Sequence, residues 1–160
     1  MPASPMTSST RYYRPGVTQV SYVPTIATQA APSRAELNAG TALGGEVSAI
    51  DGWQVTSEFL DSPDLASTFI SKVASSTSAS DSSLTFYASS NSIDVRSLLP
   101  RGTAGYIVFL DESDVAGRKM DVFKIVVAAA PKQRDIANLA QIQVQFSIVA
   151  APSENVTIPA

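Results

Sequence analysis

The strict alternation over Gln141–Ile148 constrains this 160-residue chain more than any other feature. Ile142, Val144, Phe146 and Ile148 alternate with Gln141, Gln143, Gln145 and Ser147. Successive side chains of a strand point to opposite faces, so this segment carries four apolar groups on one face and three glutamines on the other. Shorter stretches behave alike: Thr18–Val23, Phe69–Val73, Ser83–Ala88 with Leu84 and Phe86 on one side, and Trp53–Leu60 with Trp53, Val55, Ser57 and Phe59 sharing a face. Gly105–Leu110 and Met120–Ala129 are nearly continuous apolar runs, the pattern of strands covered on both faces. Asp111–Gly117 between them is rich in turn formers and reads as their hairpin connection. The expected fold is mainly β: a β-sandwich or partly open barrel of about eight strands.

Two short helices interrupt this pattern. Pro32–Gly40 offers Ser33 as an N-cap, Glu36 as its capping-box partner and Gly40 as a stop. Ser92–Pro100 offers Ser92 as a cap, Pro100 as a terminator, and Ile93, Val95, Leu98 and Leu99 as an apolar side to lie on a sheet. Ser75–Ser83 is nearly all Ser, Thr, Ala and Asp and reads as a flexible loop. The expected division is an N-terminal arm over residues 1–16, a β domain over 17–151 and an extended C-terminal arm over 152–160. No repeat of solenoid or propeller length is visible.

The chain contains no His and no Cys. That removes the Ser–His–Asp relay, thiolate nucleophiles, disulfides and zinc fingers, and leaves carboxylate or Lys chemistry. The acidic run Asp111-Glu112-Ser113-Asp114 lacks the ligand spacing of a calcium loop, and Asp61-Ser62-Pro63-Asp64 reads as a turn. Gly44-Gly45 has no Lys-Ser/Thr continuation for phosphate, and Asn155-Val156-Thr157 matches a glycosylation sequon by chance. No enzyme, cofactor or metal is expected. Met1–Thr10 has neither a basic nor an apolar signal region, and no stretch is long enough to span a bilayer, so a protein made in a cytoplasm with no membrane partner is expected.

The net charge of −3 conceals +3 over residues 1–35, −8 over 36–114 and +2 over 115–160. Tight nucleic-acid binding is disfavoured, because phosphate contacts need clustered Lys and Arg. Positive ends and a negative middle suit pairing between copies. Open sheet edges with extended arms favour an assembly, and repetition of one heterologous interface gives a ring or a filament. A ring protein that does not polymerise and a monomeric binding module remain alternatives.

Several segments, in order along the chain, resemble the major tail proteins of long-tailed phages that infect actinobacteria. They are Arg11–Thr18, Arg34–Thr41, Gly52–Ser57, Ser62–Leu65, Ser82–Ala88, Asp94–Phe109 and Glu154–Pro159. The Ser-rich stretch Ala74–Ser80 departs from the family's more charged loop. The resemblance implies a β-sandwich with a flanking helix and an extended loop. Six copies would form a ring, and rings would stack into a hollow tail tube that carries DNA during ejection. Implied partners are other copies, the tape measure, terminator and distal tail proteins, and DNA passing through without specific binding; the implied location is the virion, after synthesis in the host cytoplasm. On this reading Glu46, Asp51, Glu58 and Asp61 are candidates to face an acidic lumen, with Glu58 opposite Trp53 and Val55 by strand parity. Arg11, Tyr12, Tyr13, Arg14, Asp64, Lys72, Arg101, Val156 and Ile158 are candidates for contacts between subunits or rings.

Overall fold

A computed structural model describes residues 11, 13–89, 93–134 and 136–160. Its first half runs β1 (Gln19–Val23), α1 (Arg34–Asn38), β2 (Thr41–Ala42), β3 (Val47–Asp51), β4 (Val55–Ser62), β5 (Ser71–Ala79) and β6 (Ser82–Tyr87). Its second half runs α2 (Val95–Leu98), β7 (Ala104–Leu110), β8 (Lys119–Ala129), β9 (Lys132–Gln133), β10 (Gln141–Ile148) and β11 (Ser153–Thr157). The main antiparallel sheet has the order β2-β1-β7-β8-β10-β6-β3, with β11 beside β8 and β9 beside β10. It is open, and β4 and β5 form a separate two-stranded sheet. The mainly-β expectation holds.

The near-continuous apolar runs of β7 and β8 are apolar because both of their faces are covered. Ile107, Phe109, Phe123, Ile125 and Val127 enter a core shared with Leu84, Phe86, Val144 and Phe146. Val108, Leu110, Met120 and Val122 enter a second core on the opposite side, with Val23, Ile26 and Ile158, against which Leu37 of α1 packs. The alternation of β10 is realised as read: Ile142, Val144 and Phe146 are buried while the glutamines face away from the core. Ser33 and Glu36 make both halves of the capping box. The carboxylate of Glu36 accepts the backbone N–H groups of Ser33 and Ala27, which hold its pKa below the usual range. The second helix is shorter than expected, and Asp94 caps it by accepting the Arg96 backbone N–H at 3.0 Å. Ser92 lies outside the described residues.

Three local expectations are corrected. The Ser-rich segment is a strand, with Thr56 opposite Ser78 and Ser57 opposite Thr77, so backbone pairing rather than side-chain burial holds it. Trp53 does not begin a strand. Gly52 and Trp53 both have positive φ (81° and 61°), and a register shift between Ser57 and Phe59 further breaks the parity counted from Trp53. The segment read as a C-terminal strap is β11. It runs beside residues 119–122 of β8, on the side where β10 pairs with residues 125–129, and so prolongs the β10 ladder past an irregularity. Ile158 just beyond it is 1% exposed, so its side chain belongs to this chain's own core, and Val156 packs partly buried against the same core.

Candidate assembly surfaces

Two registers explain the most conspicuous surface feature. β3 pairs with β6 from Val47–Phe86 to Asp51–Ser83, and β4 pairs with β5 from Val55–Ala79 to Ser62–Ser71. Asp51 leads through Gly52 to β4, and Ala79 leads through Asp81 to β6. One long two-stranded ribbon therefore starts as the edge of the main sheet and continues past it as an arm. A kink separates the two parts. A Cβ at Gly52 would stand 2.2 Å from the Asp81 carbonyl oxygen, so only glycine fits there. Trp53 pins the kink to the body. Its ring lies 5.1, 5.2 and 5.3 Å from those of Phe109, Phe123 and Phe146, and its indole N–H donates to the Ser83 carbonyl at 3.2 Å.

Beyond the kink the arm is exposed on both faces. Phe59 is 61% and Phe69 76% exposed, and Leu60, Leu65, Ile70 and Val73 are also open. The arm's charged groups find partners within the arm. Lys72 Nζ lies 3.0 Å from Asp61 Oδ1, Ser76 Oγ donates to Glu58, and Asp64 accepts the Ala66 backbone N–H. Exposed apolar area on a hairpin of marginal stability marks a surface made to be covered.

A second surface is the outer face of β10–β6–β3. Gln145 pairs with Ser83 and Ser83 with Asp51, so these side chains share a face. Gln143 Nε2 donates to Ser83 Oγ, and Gln141 Nε2 to Ser48 Oγ, each at 3.3 Å. Glu46 stands opposite Tyr87, whose N–H donates to its carbonyl. The face is rich in amides and hydroxyls, with Glu46 and Asp51 near its β3 border. The four acids proposed for a lumen are thus divided, Glu46 and Asp51 flanking or ending β3 and Glu58 and Asp61 lying on the arm.

The other candidates are scattered. The Arg14 carbonyl accepts the N–H groups of Val17 and Thr18, closing a turn at the foot of β1, with Arg11 and Tyr13 exposed beside it. Tyr12 lies outside the described residues. Arg101 is exposed in the turn before β7. A cleft of about 270 Å³ between α2 and the β9–β10 region has Val95 and Ile142 in its wall and Lys132 and Arg134 beside it. Sequence reading missed this cleft, whose local sign is Lys132 and Arg134 close in sequence to exposed Ile136 and Leu139. Arg96 at its edge is engaged by Asp94, whose carboxyl the guanidinium holds down at about 2.

At the β7–β8 end, burial together with Asp121 and Glu112 raises the pKa of Asp111. Arg118 pairs with Glu112, and Arg34 with Asp114. Among the described residues no group of acids is arranged to hold a metal ion, and no helix is long and apolar enough to cross a membrane.

The sequence matches the family model described as phage tail tube protein over residues 6–160. No curated protein matches it significantly. Among solved structures, a chain of the anti-feeding prophage baseplate, determined by electron cryo-microscopy with six-fold symmetry, superposes with a TM-score of 0.55 at 10% identity. The match covers 92% of this chain and 94% of that one, and at this identity it speaks to the fold.

Proposed function

Since the chain belongs to the phage tail tube protein family and is thus a structural component of the virion tail, we propose that its copies form hexameric rings that stack into the tube of a long-tailed phage, with DNA passing through the lumen during ejection. The arm carries this reading: a paired hairpin with six open apolar side chains suits a connector that another subunit covers. The six-fold symmetry of the baseplate containing the structural neighbour supports six copies per ring.

The lumen lining follows from physics. A conduit for a polyanion should offer few cationic groups, because each phosphate contact adds affinity that slows passage. The glutamine face of β10–β6–β3, bordered by Asp51 and Glu46, suits that role better than the arm's acids. Tape measure, terminator and distal tail proteins are the further partners on this reading, an actinobacterium the host, and its cytoplasm the site of synthesis.

Electron microscopy of the purified protein at high concentration tests the proposal. Tubes with a central hole are expected. Isolated rings would instead favour a terminator, and dispersed monomers a binding module; either outcome overturns the polymer. Replacing residues 55–79 by a short glycine linker should abolish tubes while leaving the far-UV circular dichroism of the main sheet intact.

A further inference from the structure

We propose that the cleft between α2 and the β9–β10 region is the seat for the β4–β5 arm of a second copy, an inference that rests on the chain being a polymer. The registers place donor and acceptor at opposite ends of one ribbon. The arm leaves beyond the Asp51–Ser83 pair, whereas the cleft lies beyond the Val47–Phe86 pair, where Tyr87 and Ala88 line it. An arm that points away from its own cleft is available to another molecule. Such a contact joins two different surfaces, and its repetition gives a ring where the rotation closes and an open filament where it does not.

The two surfaces match in chemistry. Val95 and Ile142 give the cleft an apolar wall, and exposed Leu139 lines an adjoining hollow that shares Tyr87 and Arg134 with it. The arm brings Leu65, Phe69 and Ile70 near its tip, and the cleft's volume of about 270 Å³ has room for a phenyl ring. Charges are complementary as well. Glu58, Asp61 and Asp64 outnumber Lys72 on the arm, while Lys132 and Arg134 have no ion-pair partner among the described residues. Rim charges of this kind set register and selectivity, and apolar anchors supply most of the affinity.

The absence of native cysteine makes disulfide trapping specific. A chain carrying Phe69→Cys and Ala140→Cys, assembled and mildly oxidised, should run as a ladder of covalent oligomers on a non-reducing gel. Each single variant should not, and a mixture of the two single variants should give only dimers. A control pair, Phe69→Cys with Val115→Cys in the β7–β8 connection, should stay uncrosslinked. Tubes that form without the first ladder, or that crosslink through position 115, overturn the seat and leave the tube standing. Failure of the unmodified protein to polymerise removes the tube reading itself.

A second measurement does not need the cysteines. Lys132→Glu with Arg134→Glu should raise the critical concentration for assembly by about tenfold. Adding Glu58→Lys and Asp64→Lys to the same chain should restore it. An unchanged critical concentration, or no restoration in a folded quadruple variant, overturns the pairing.

Discussion

Replacing Trp53 by alanine should cost the domain about 3 kcal/mol, by an estimate that follows from the ring's neighbours. Three aromatic contacts, with centroids at 5.1, 5.2 and 5.3 Å, are lost together. Each contributes roughly 0.5–1.5 kcal/mol beyond the area it buries. The indole hydrogen bond to Ser83 adds about 1 kcal/mol net. Trp53 is only half-buried, which places the total at the low end of the ~3–5 kcal/mol usual for such truncations. Against a total stability of about 5–15 kcal/mol this is a large fraction. At about 2–4 °C per kcal/mol for a chain of this size, the midpoint should fall by roughly 6–12 °C.

Far-UV circular dichroism in urea is the suitable assay, because Trp53 is the only tryptophan and its removal abolishes the fluorescence signal. Two further variants separate the causes. Trp53→Phe keeps an aromatic ring against the three phenylalanines and loses the N–H, so about 1–2 kcal/mol is expected. Trp53→Gly loses the ring but relieves a non-glycine residue at φ 61°, so it should be no less stable than Trp53→Ala. A Trp53→Ala loss under about 1 kcal/mol would refute the anchoring role. So would equal stability of the phenylalanine and alanine variants.

Three other outcomes follow from the same structure. Gly52→Ala places a methyl 2.2 Å from a backbone oxygen at φ +81°, and should destabilise by more than the ~1 kcal/mol of an ordinary left-handed penalty, read as a urea midpoint. Ile158→Ala should cost about 2–5 kcal/mol, so truncating Ser153–Ala160 should lower the melting temperature of the monomer as well as impair assembly. Asp111 binds its proton more tightly folded than unfolded, so its contribution falls as pH rises through the raised pKa. Asp111→Asn should therefore gain stability over the parent at pH 7 and lose that gain below the ordinary carboxylate range near pH ~4; an equal difference at both pH values would count against it.

What could be read from the sequence was what one-sided or two-sided burial imprints on it. β10 alternates because one face meets Phe123 and its neighbours and the other does not, and β7 and β8 lose alternation because both faces are covered. The capping box was legible because Ser33 and Glu36 need only each other's backbone. β5 was not, since a strand with both faces open has no buried side to select apolar residues at every second position, and its Ser and Thr look like a loop. Trp53 misled because parity assumes an unbroken strand, and the break is made by the close approach of Gly52 to Asp81, remote in sequence. The cleft was invisible for a similar reason: Val95, Lys132 and Ile142 meet only when α2 lies beside β10.

The open arm also bears on when assembly becomes cooperative. Proteins ordinarily shield apolar strands and edges against pairing with other chains, by shortening, charging or covering them. β4 and β5 are long for an uncovered pair, and with their connecting turn they expose six large apolar side chains against four charged ones. An isolated two-stranded hairpin is marginal in water, so a surface that covered the arm would add much to its order. A subunit that receives a neighbour's arm then buries that arm's apolar face while its own arm, at the opposite end of the ribbon, still awaits a partner. If the proposed seat takes the arm, each addition consumes one seat and presents another arm, and growth is directional because arm and seat lie at opposite ends of the same two strands.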